Sequence, residues 1–301
     1  MHLKTVVYTL FIGAFIFLSS CNRDNLEATV PGYLVIDTFN VNYSEANRTG
    51  RGLINISDAW VYVNDDIQGV FELPAKIPLT DVGEGQTITI GPGIKVNGIA
   101  ATRDEYQFYQ RAVFQDIDIT ADSVFKLTPT VDYYSTTEFP LLENFESSIL
   151  AFDSIPGYGD VTIDRVRLDE NDPYLERYVG YIRLNSSEPD VKIISQYYTL
   201  PGSGSPVYFE IDYRCNARYV IGLAIQPTSG SAYDYPIMTV NPTNNNGSSE
   251  PAWNKIYLDL TDQVSFADED ALYFGITITA THTTSLDSSY FYFDNMKLVH
   301  S

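Results

Sequence analysis

Apolar and polar residues alternate over short stretches of this chain, and turn-forming residues separate the stretches. Because side chains along a strand point to opposite faces with a period of two, this alternation predicts half-buried strands. In residues 254–260 the core face is expected to carry Ile256, Leu258 and Leu260. The opposite face then carries Trp253, Lys255, Tyr257 and Asp259. No long stretch repeats its apolar residues with the period of a helix, so we predict an all-β protein.

The predicted strands fall into two groups. The first comprises residues 33–41, 57–63, 86–90, 106–114 and 123–126, with turns at residues 64–66 and 91–93. The second comprises residues 142–146, 178–184, 191–200, 207–214, 219–225, 255–260, 272–279 and 290–299. A polar segment at residues 132–138 separates the groups, so we predict a β-sandwich domain over residues 33–135 and a jelly roll over residues 138–301.

The last predicted strand contains a change of phase. Phe291 and Phe293 share one phase, whereas Met296 and Leu298 share the opposite one. The register must therefore slip by one residue near Asp294, and a β-bulge produces such a slip.

The N-terminus has the layout of a cleaved secretory signal, with Lys4 before an apolar run at residues 6–18 and small residues before Cys21. The apolar run is too short to span a bilayer comfortably. Leu18-Ser19-Ser20-Cys21 resembles a bacterial lipobox, which implies that residues 1–20 are removed and that Cys21 is acylated and anchors the protein to the membrane. An Asp after the cysteine would resemble the signal that retains bacterial lipoproteins in the inner membrane. Asn22 stands there instead, which implies location in the outer membrane, on its periplasmic or surface face. A plain signal peptide is the alternative, and residues 21–32 are expected to form a flexible tether.

Composition and charge exclude some partners. The 301 residues include 18 Lys and Arg against 39 Asp and Glu, for a formal net charge of −21. Such a chain repels phosphate backbones, so we predict no nucleic-acid partner. The acidic excess attracts cations, calcium among them. If Cys21 carries lipid, Cys215 has no partner in the chain and no disulfide is expected.

Several segments carry resemblances to known families. The sequences Glu143-Asn144-Phe145-Glu146 and Tyr292-Phe293-Asp294-Asn295-Met296-Lys297-Leu298 resemble the first and last strands of galactose-binding-like jelly rolls, the fold of many carbohydrate-binding modules. Residues 200–210 and 253–260 are similar to segments of surface lipoproteins of Bacteroidota. Residues 60–65, 71–74 and 90–94 resemble Ig-like sandwiches of the transthyretin-like or carboxypeptidase-regulatory-like kind. These resemblances imply an N-terminal sandwich that acts as a spacer or scaffold and a C-terminal glycan-binding jelly roll.

The jelly-roll resemblance also implies a calcium site. Carbohydrate-binding jelly rolls often hold a structural calcium between an acidic residue of the first strand and an Asp near the end of the last. Glu146 and Asp294 match those places, and carboxylate oxygens suit calcium. The alternative is that Asp294 caps the bulge through a backbone hydrogen bond.

Exposed aromatic rings are candidate platforms for a sugar, because a flat ring covers the apolar face of a pyranose at little entropic cost. The candidates are Trp253, Tyr257, Tyr197 and Tyr198, together with Tyr233 and Tyr235 in a predicted long loop. The alternative for each ring is packing against the other sheet or the partner domain.

Histidine usage weighs against several classes of enzyme. His2 leaves with the signal, and neither His282 nor His300 lies in a nucleophile motif, so we expect no Ser-His-Asp or Cys-His site and no His-based zinc site. We therefore predict a non-enzymatic, membrane-anchored lipoprotein that binds a glycan or another envelope component. The alternatives are an adaptor subunit of an envelope secretion or motility assembly, and a glycosidase that uses two carboxylates.

Overall fold

The computed structural model describes residues 30–42, 52–169, 177–243, 251–267 and 271–301. These ranges contain 21 strands and one short helix, α1 (Thr261–Ser265), so the prediction of an all-β protein is confirmed. None of the described helices is long and apolar enough to cross a membrane. Cys21, residues 1–20 and most of the predicted tether lie outside the described residues, and the lipid anchor stays a prediction.

The first half of the chain forms a β-sandwich. Its strands are β1 (Gly32–Ile36), β2 (Asn40–Val41), β3 (Asp58–Val63), β4 (Asp66–Glu72), β5 (Ala75–Leu79), β6 (Gly83–Lys95), β7 (Arg103–Glu105), β8 (Ala112–Ile119), β9 (Val124–Lys126) and β10 (Thr130–Val131). One sheet has the order β4-β3-β6-β7, with β8 also paired to β6; β5-β1-β9 and β10-β2 form two others. Leu34, Val61, Ile77 and Ile90 meet in one core between the larger sheets.

One of the two turns predicted in this half is confirmed and the other is wrong. Asn64 and Asp65 have positive φ angles of 48° and 69° and connect β3 to β4. Gly91 and Gly93, in contrast, lie inside β6. Side chains from Glu105 and Asp58 occupy the space that a Cβ at these two positions would need. The strand predicted at residues 106–114 is largely a loop whose aromatic side chains are buried before β8 begins.

The second half forms a jelly-roll sandwich of two sheets. Its strands are β11 (Leu142–Glu143), β12 (Phe152–Ser154), β13 (Asp164–Arg167), β14 (Tyr178–Leu184), β15 (Asp190–Ser195), β16 (Val207–Cys215), β17 (Tyr219–Pro227), β18 (Tyr233–Val240), β19 (Asn254–Asp259), β20 (Ala271–Thr281) and β21 (Ser289–His300). The junction sheet has the order β13-β14-β21-β16-β19, with β11 also paired to β21. The outer sheet has the order β12-β15-β20-β17-β18.

The faces predicted for this half agree with the structure. Ile256, Leu258 and Leu260 all lie in the core between the two sheets. The phase slip in β21 is confirmed, since Glu210 pairs with Lys297 and Asp212 pairs with Asp294, which leaves one extra residue in β21. Asn295 occupies that bulge with a φ of 47°.

The first half covers the outward face of the junction sheet. Tyr208, Tyr257 and Val299 project from that face into the core of the first half. Between the two halves, the buried Glu210 carboxylate accepts hydrogen bonds from the Tyr106 and Tyr133 hydroxyls at 2.6 and 2.7 Å. The junction sheet is therefore held between two cores, whereas the outer sheet lies on the far side of the molecule.

The predicted boundary at residues 132–138 is part of this junction. Tyr133 is buried in the core of the first half, and the Glu138 and His300 backbones bond to each other. That the two halves are separately folding domains stays a prediction.

Candidate functional site

On the outward face of the outer sheet, polar side chains from neighbouring strands lie over a glycine of β17, Gly222. Because Val191 and Ile193 point to the core, Lys192 between them points outward from β15. By the same alternation, Gly222 of β17 faces outward and pairs directly with Thr277 of β20. Asp234 projects from the neighbouring edge strand β18. Residues from four strands thus converge on one small area.

Asp234 is the centre of this area. Its Oδ1 accepts a hydrogen bond from Thr277 Oγ1 at 2.8 Å, and its Oδ2 lies 2.8 Å from Lys192 Nζ. A Cβ on Gly222 would stand 2.5 Å from Thr277 Oγ1 and 2.9 Å from Asp234 Oδ1. Glycine is therefore required at this position if the carboxylate is to lie across the sheet.

One tyrosine ring lies beside this ion pair, and the hydroxyl of a second tyrosine lies near its carboxylate. The Lys192 ammonium lies 5.0 Å from the centroid of the Tyr158 ring. Tyr197 lies close enough to Asp234 that burial, and then the charge of that carboxylate, raise the pKa of its hydroxyl. Both rings are exposed, Tyr197 to 39%. We call Tyr158, Lys192, Tyr197, Asp234 and Thr277, above Gly222, the sheet-face site.

The sheet-face site has hydrogen-bonding capacity beyond its internal contacts. An ammonium carries three donors and a carboxylate accepts about four hydrogen bonds, of which the internal contacts use only part. The Tyr197 hydroxyl is protonated at neutral pH, as a phenol ordinarily is, so it can act as both donor and acceptor. Charged donors and acceptors beside exposed rings suit a ligand rich in hydroxyl groups.

A second concave feature lies along the same edge strand. Tyr233 and Tyr235 flank Asp234 in β18 but point away from the outward face, into a pocket of about 260 Å³. The remaining lining residues are Ile225, Asp262, Gln263, Phe266 and Ala267. We call this the edge pocket. The prediction that Tyr233 and Tyr235 lie in a long loop is wrong, because they belong to a regular strand that pairs with β17.

A larger cleft of about 720 Å³ lies between the two halves and includes Trp253. Two amides of its lining serve the junction: Asn55 Nδ2 donates to the Lys255 carbonyl at 2.6 Å, and Asn97 Oδ1 accepts from the Asp259 N–H at 2.9 Å. Trp253 is half-buried and its ring lies 5.1 Å from the Arg214 guanidinium. These two amides of the cleft thus link the halves.

Two of the predicted aromatic platforms pack against other parts of the protein, Tyr257 fully buried and Tyr198 half-buried. Tyr257 is only 1% exposed, and its ring lies 4.9 Å from that of Tyr106 in the first half, so it cannot present a face to a ligand. Tyr198 packs against the jelly-roll core and its backbone bonds to Phe274. For both residues the alternative reading, packing against the other sheet or the partner domain, is the one the structure shows. Tyr197 lies at the sheet-face site.

The two residues of the predicted calcium site lie in different surroundings. Glu146 is exposed and accepts a hydrogen bond from the Tyr178 N–H at 3.2 Å. Asp294 is fully buried, and its Oδ1 accepts the Asn295 N–H at 2.8 Å, which is the bulge cap that the sequence left as the alternative. Within the described ranges there is no group of three or more acidic, His or Cys side chains that could hold a metal. The structure gives the calcium site no support, and it stays a prediction.

Two side chains of the kinds that act as nucleophiles or bases, Cys215 and His282, are buried. Cys215 lies in the jelly-roll core, where burial raises the pKa of its thiol to about 12. His282 follows the end of β20, is nearly buried and contacts Ser289 Oγ through Nδ1 at 3.2 Å. Neither group is placed to act on a solvent-borne substrate.

The sequence did not single out Lys192, Asp234 or Thr277. One signal pointed to Asp234, which lies between Tyr233 and Tyr235 in the sequence. If these three residues form a strand, the Asp234 side chain points to the face opposite to that of the two tyrosines. Lys192 and Thr277 gave no signal, because only the pairing of distant strands brings them together.

No family model matches the chain, and no curated protein matches it. Among solved structures, the CBM22-1 and GH10 modules of xylanase 10B from Clostridium thermocellum, complexed with xylohexaose, are 13% identical with a TM-score of 0.38; the match covers 54% of this chain and 28% of that one. The family 11 carbohydrate-binding module from the same organism, in complex with a mixed-linked tetrasaccharide, is 15% identical with a TM-score of 0.36, covering 55% and 96%. A carbohydrate-binding module of the β-sandwich superfamily is 13% identical with a TM-score of 0.36, covering 81% and 85%. TM-scores this low do not show a shared function.

Proposed function

We propose that this protein is a membrane-anchored lipoprotein that binds a glycan, without cleaving it, at the sheet-face site. The observation that carries the proposal is the network in which Asp234 bonds to Lys192 and Thr277 beside the exposed ring of Tyr158. A pyranose combines an apolar face, which stacks on a ring, with hydroxyls that bond to charged donors and acceptors. The Leu18-Ser19-Ser20-Cys21 sequence supports the anchor.

The position of the site fits this role. The first half covers one sheet of the jelly roll and leaves the outer sheet on the far side, so a ligand reaches the sheet-face site from solvent. The formal charge of −21 disfavours anionic chains and therefore favours a neutral glycan.

A glycan array probed with the full-length acylated protein in detergent tests this function. We expect binding to a restricted set of neutral glycans. Tyr197→Ala should weaken that binding roughly tenfold, because it removes one ring and one hydroxyl contact. Tyr134→Ala, which removes a similarly exposed tyrosine of the first half, is the matched control and should bind as wild type.

Absence of any glycan signal for the wild-type protein, or an equal response from both tyrosine variants, would contradict the proposal. The bound glycan should also remain intact on prolonged incubation. New reducing ends that disappear with substitution of a carboxylate would point instead to a glycosidase with two acidic residues.

A further inference from the structure

The edge pocket and the sheet-face site share one strand. Along β18, Asp234 points to the outward face, whereas its neighbours Tyr233 and Tyr235 line the edge pocket. In the described part of the chain, β18 pairs with β17 on one side and ends the outer sheet on the other. The sheet-face site and the edge pocket therefore lie on opposite sides of the same edge strand, next to each other along the chain.

The walls of the edge pocket are aromatic and exposed. Tyr235 is 53% exposed and Phe266, just after helix α1, is 82% exposed. Keeping large rings in water forgoes the free energy that their burial would release. Three such rings around one small cavity offer flat apolar surfaces to a ligand rather than to the protein core.

Gln263 provides the polar counterpart of these rings. Its Oε1 is buried at the pocket and has no hydrogen-bond partner among the described residues. Buried acceptors in native proteins nearly always have a partner, so the donor for this oxygen comes from water in the pocket or from a ligand that displaces that water. The exposed Asp262 adds a carboxylate to the same lining. Acceptors next to rings match the hydroxyl edge and apolar face of a sugar.

We propose that the edge pocket is a second saccharide subsite, and that the ligand is a linear neutral glycan that runs from the sheet-face site around β18 into the pocket. This inference rests on the proposed function. It narrows the ligand to glycans longer than a disaccharide, because a terminal sugar or a disaccharide would fill only one of the two sites. A carboxylate at each site, Asp234 and Asp262, disfavours an acidic chain at both.

A length series of neutral oligosaccharides, from disaccharide to hexasaccharide, tests this inference by calorimetric titration of the full-length protein in detergent. The cello-, xylo- and laminari-oligosaccharides are suitable probes. We expect affinity to rise with length beyond the shortest binder. Phe266→Ala and Gln263→Ala should each lose roughly tenfold in affinity for the longest binder and none for the shortest. Ile149→Ala, which truncates an apolar residue that is also 82% exposed, is the matched control.

The outcomes separate the two claims. If the Phe266 and Gln263 variants weaken short and long ligands equally, or weaken neither, the edge pocket is not a subsite while glycan binding stands. If no oligosaccharide and no glycan of the array binds the wild-type protein, the proposed function fails and this inference fails with it. Phe266 is a surface residue, so its truncation leaves the fold intact, and unchanged melting temperatures verify this.

Discussion

At the scale of single residues, Glu210 is the most constrained charge in the molecule. Its side chain is fully buried, one oxygen accepts from two tyrosine hydroxyls of the first half, and the other lies 2.8 Å from Lys255 Nζ. Burial alone would raise the pKa of this carboxyl, but the charges of Lys255 and Lys297 outweigh burial and lower it to about 2. Removing one partner of such a buried group leaves the others uncompensated.

A pH dependence of stability follows from Glu210. A carboxyl whose pKa falls on folding stabilises the protein above its unfolded pKa of 4.5 and loses that contribution as pH falls through about 2. Chemical unfolding across this window should show wild type losing about 3 kcal/mol from this group. Glu210→Gln should be less stable at neutral pH and show a shallower loss on acidification. Equal slopes for both proteins would contradict the charge network.

Lys297 gives a dependence of the same sign at alkaline pH. Burial lowers the pKa of this ammonium to about 8, despite the nearby Glu210 carboxylate. The unfolded chain therefore binds more protons between pH 8 and 10.5, and this group favours folding more as pH rises through that window. Lys297→Met should remove this rise in unfolding free energy, measured by urea titration at several pH values. An unchanged alkaline slope in the variant would show that Lys297 keeps its ordinary pKa.

Single-residue environments were the least predictable part of the molecule. Alternation correctly put Lys255 and Tyr257 on the same face of β19, but it does not say whether solvent or another domain covers that face. The structure covers it with the first half, so a predicted sugar platform became a packing residue. Asp234 shows the converse, since its contacts are made with side chains of strands far away in sequence.

At the scale of elements, strands with clean alternation were predicted well and strands interrupted by turn-forming residues were not. Residues 178–184 form β14 as predicted. β18 was missed because Asp234 and Pro236 weaken its pattern, and an edge strand tolerates both since it forms a ladder on one side only. The candidate site lies on that missed strand.

The bulge in β21 separates two roles for Asp294. If the Asp294 carboxylate serves only to cap the Asn295 N–H, the melting temperature should be indifferent to calcium or chelator. Asp294→Asn should lower the melting temperature equally in both conditions, because a buried hydrogen bond and charge are perturbed. A wild-type melting temperature that rises with calcium, with the rise lost in Asp294→Asn, would restore the predicted metal site.

At the scale of the whole molecule, two sandwiches share a buried junction, and the first orients the second. The sequence predicted the two groups of strands, but the junction depends on side chains more than a hundred positions apart, such as Tyr106 and Glu210. Such contacts leave no local pattern. The outcome places the proposed glycan site on the sheet that faces away from the first half.

The lipid anchor is tested by Cys21→Ser. Acylation needs the thiol, so the variant should be released from outer membranes and should not incorporate labelled fatty acid. Cys215→Ser, which changes the buried core cysteine, is the control and should fractionate with membranes like wild type. A Cys21→Ser protein that still floats with membranes and labels with fatty acid would refute the anchor.

The most direct test of the glycan site is calorimetric titration of one array-identified glycan into wild type, Asp234→Asn and Asp81→Asn. The two variants lose the same charge, but Asp81 is an exposed residue of the first half, far in sequence from the site. Asp234→Asn should weaken binding between about tenfold and a hundredfold, because it removes a charged acceptor and the partner of Lys192. Asp81→Asn should bind as wild type. Equal affinity of all three proteins for the glycan would contradict the assignment of the site.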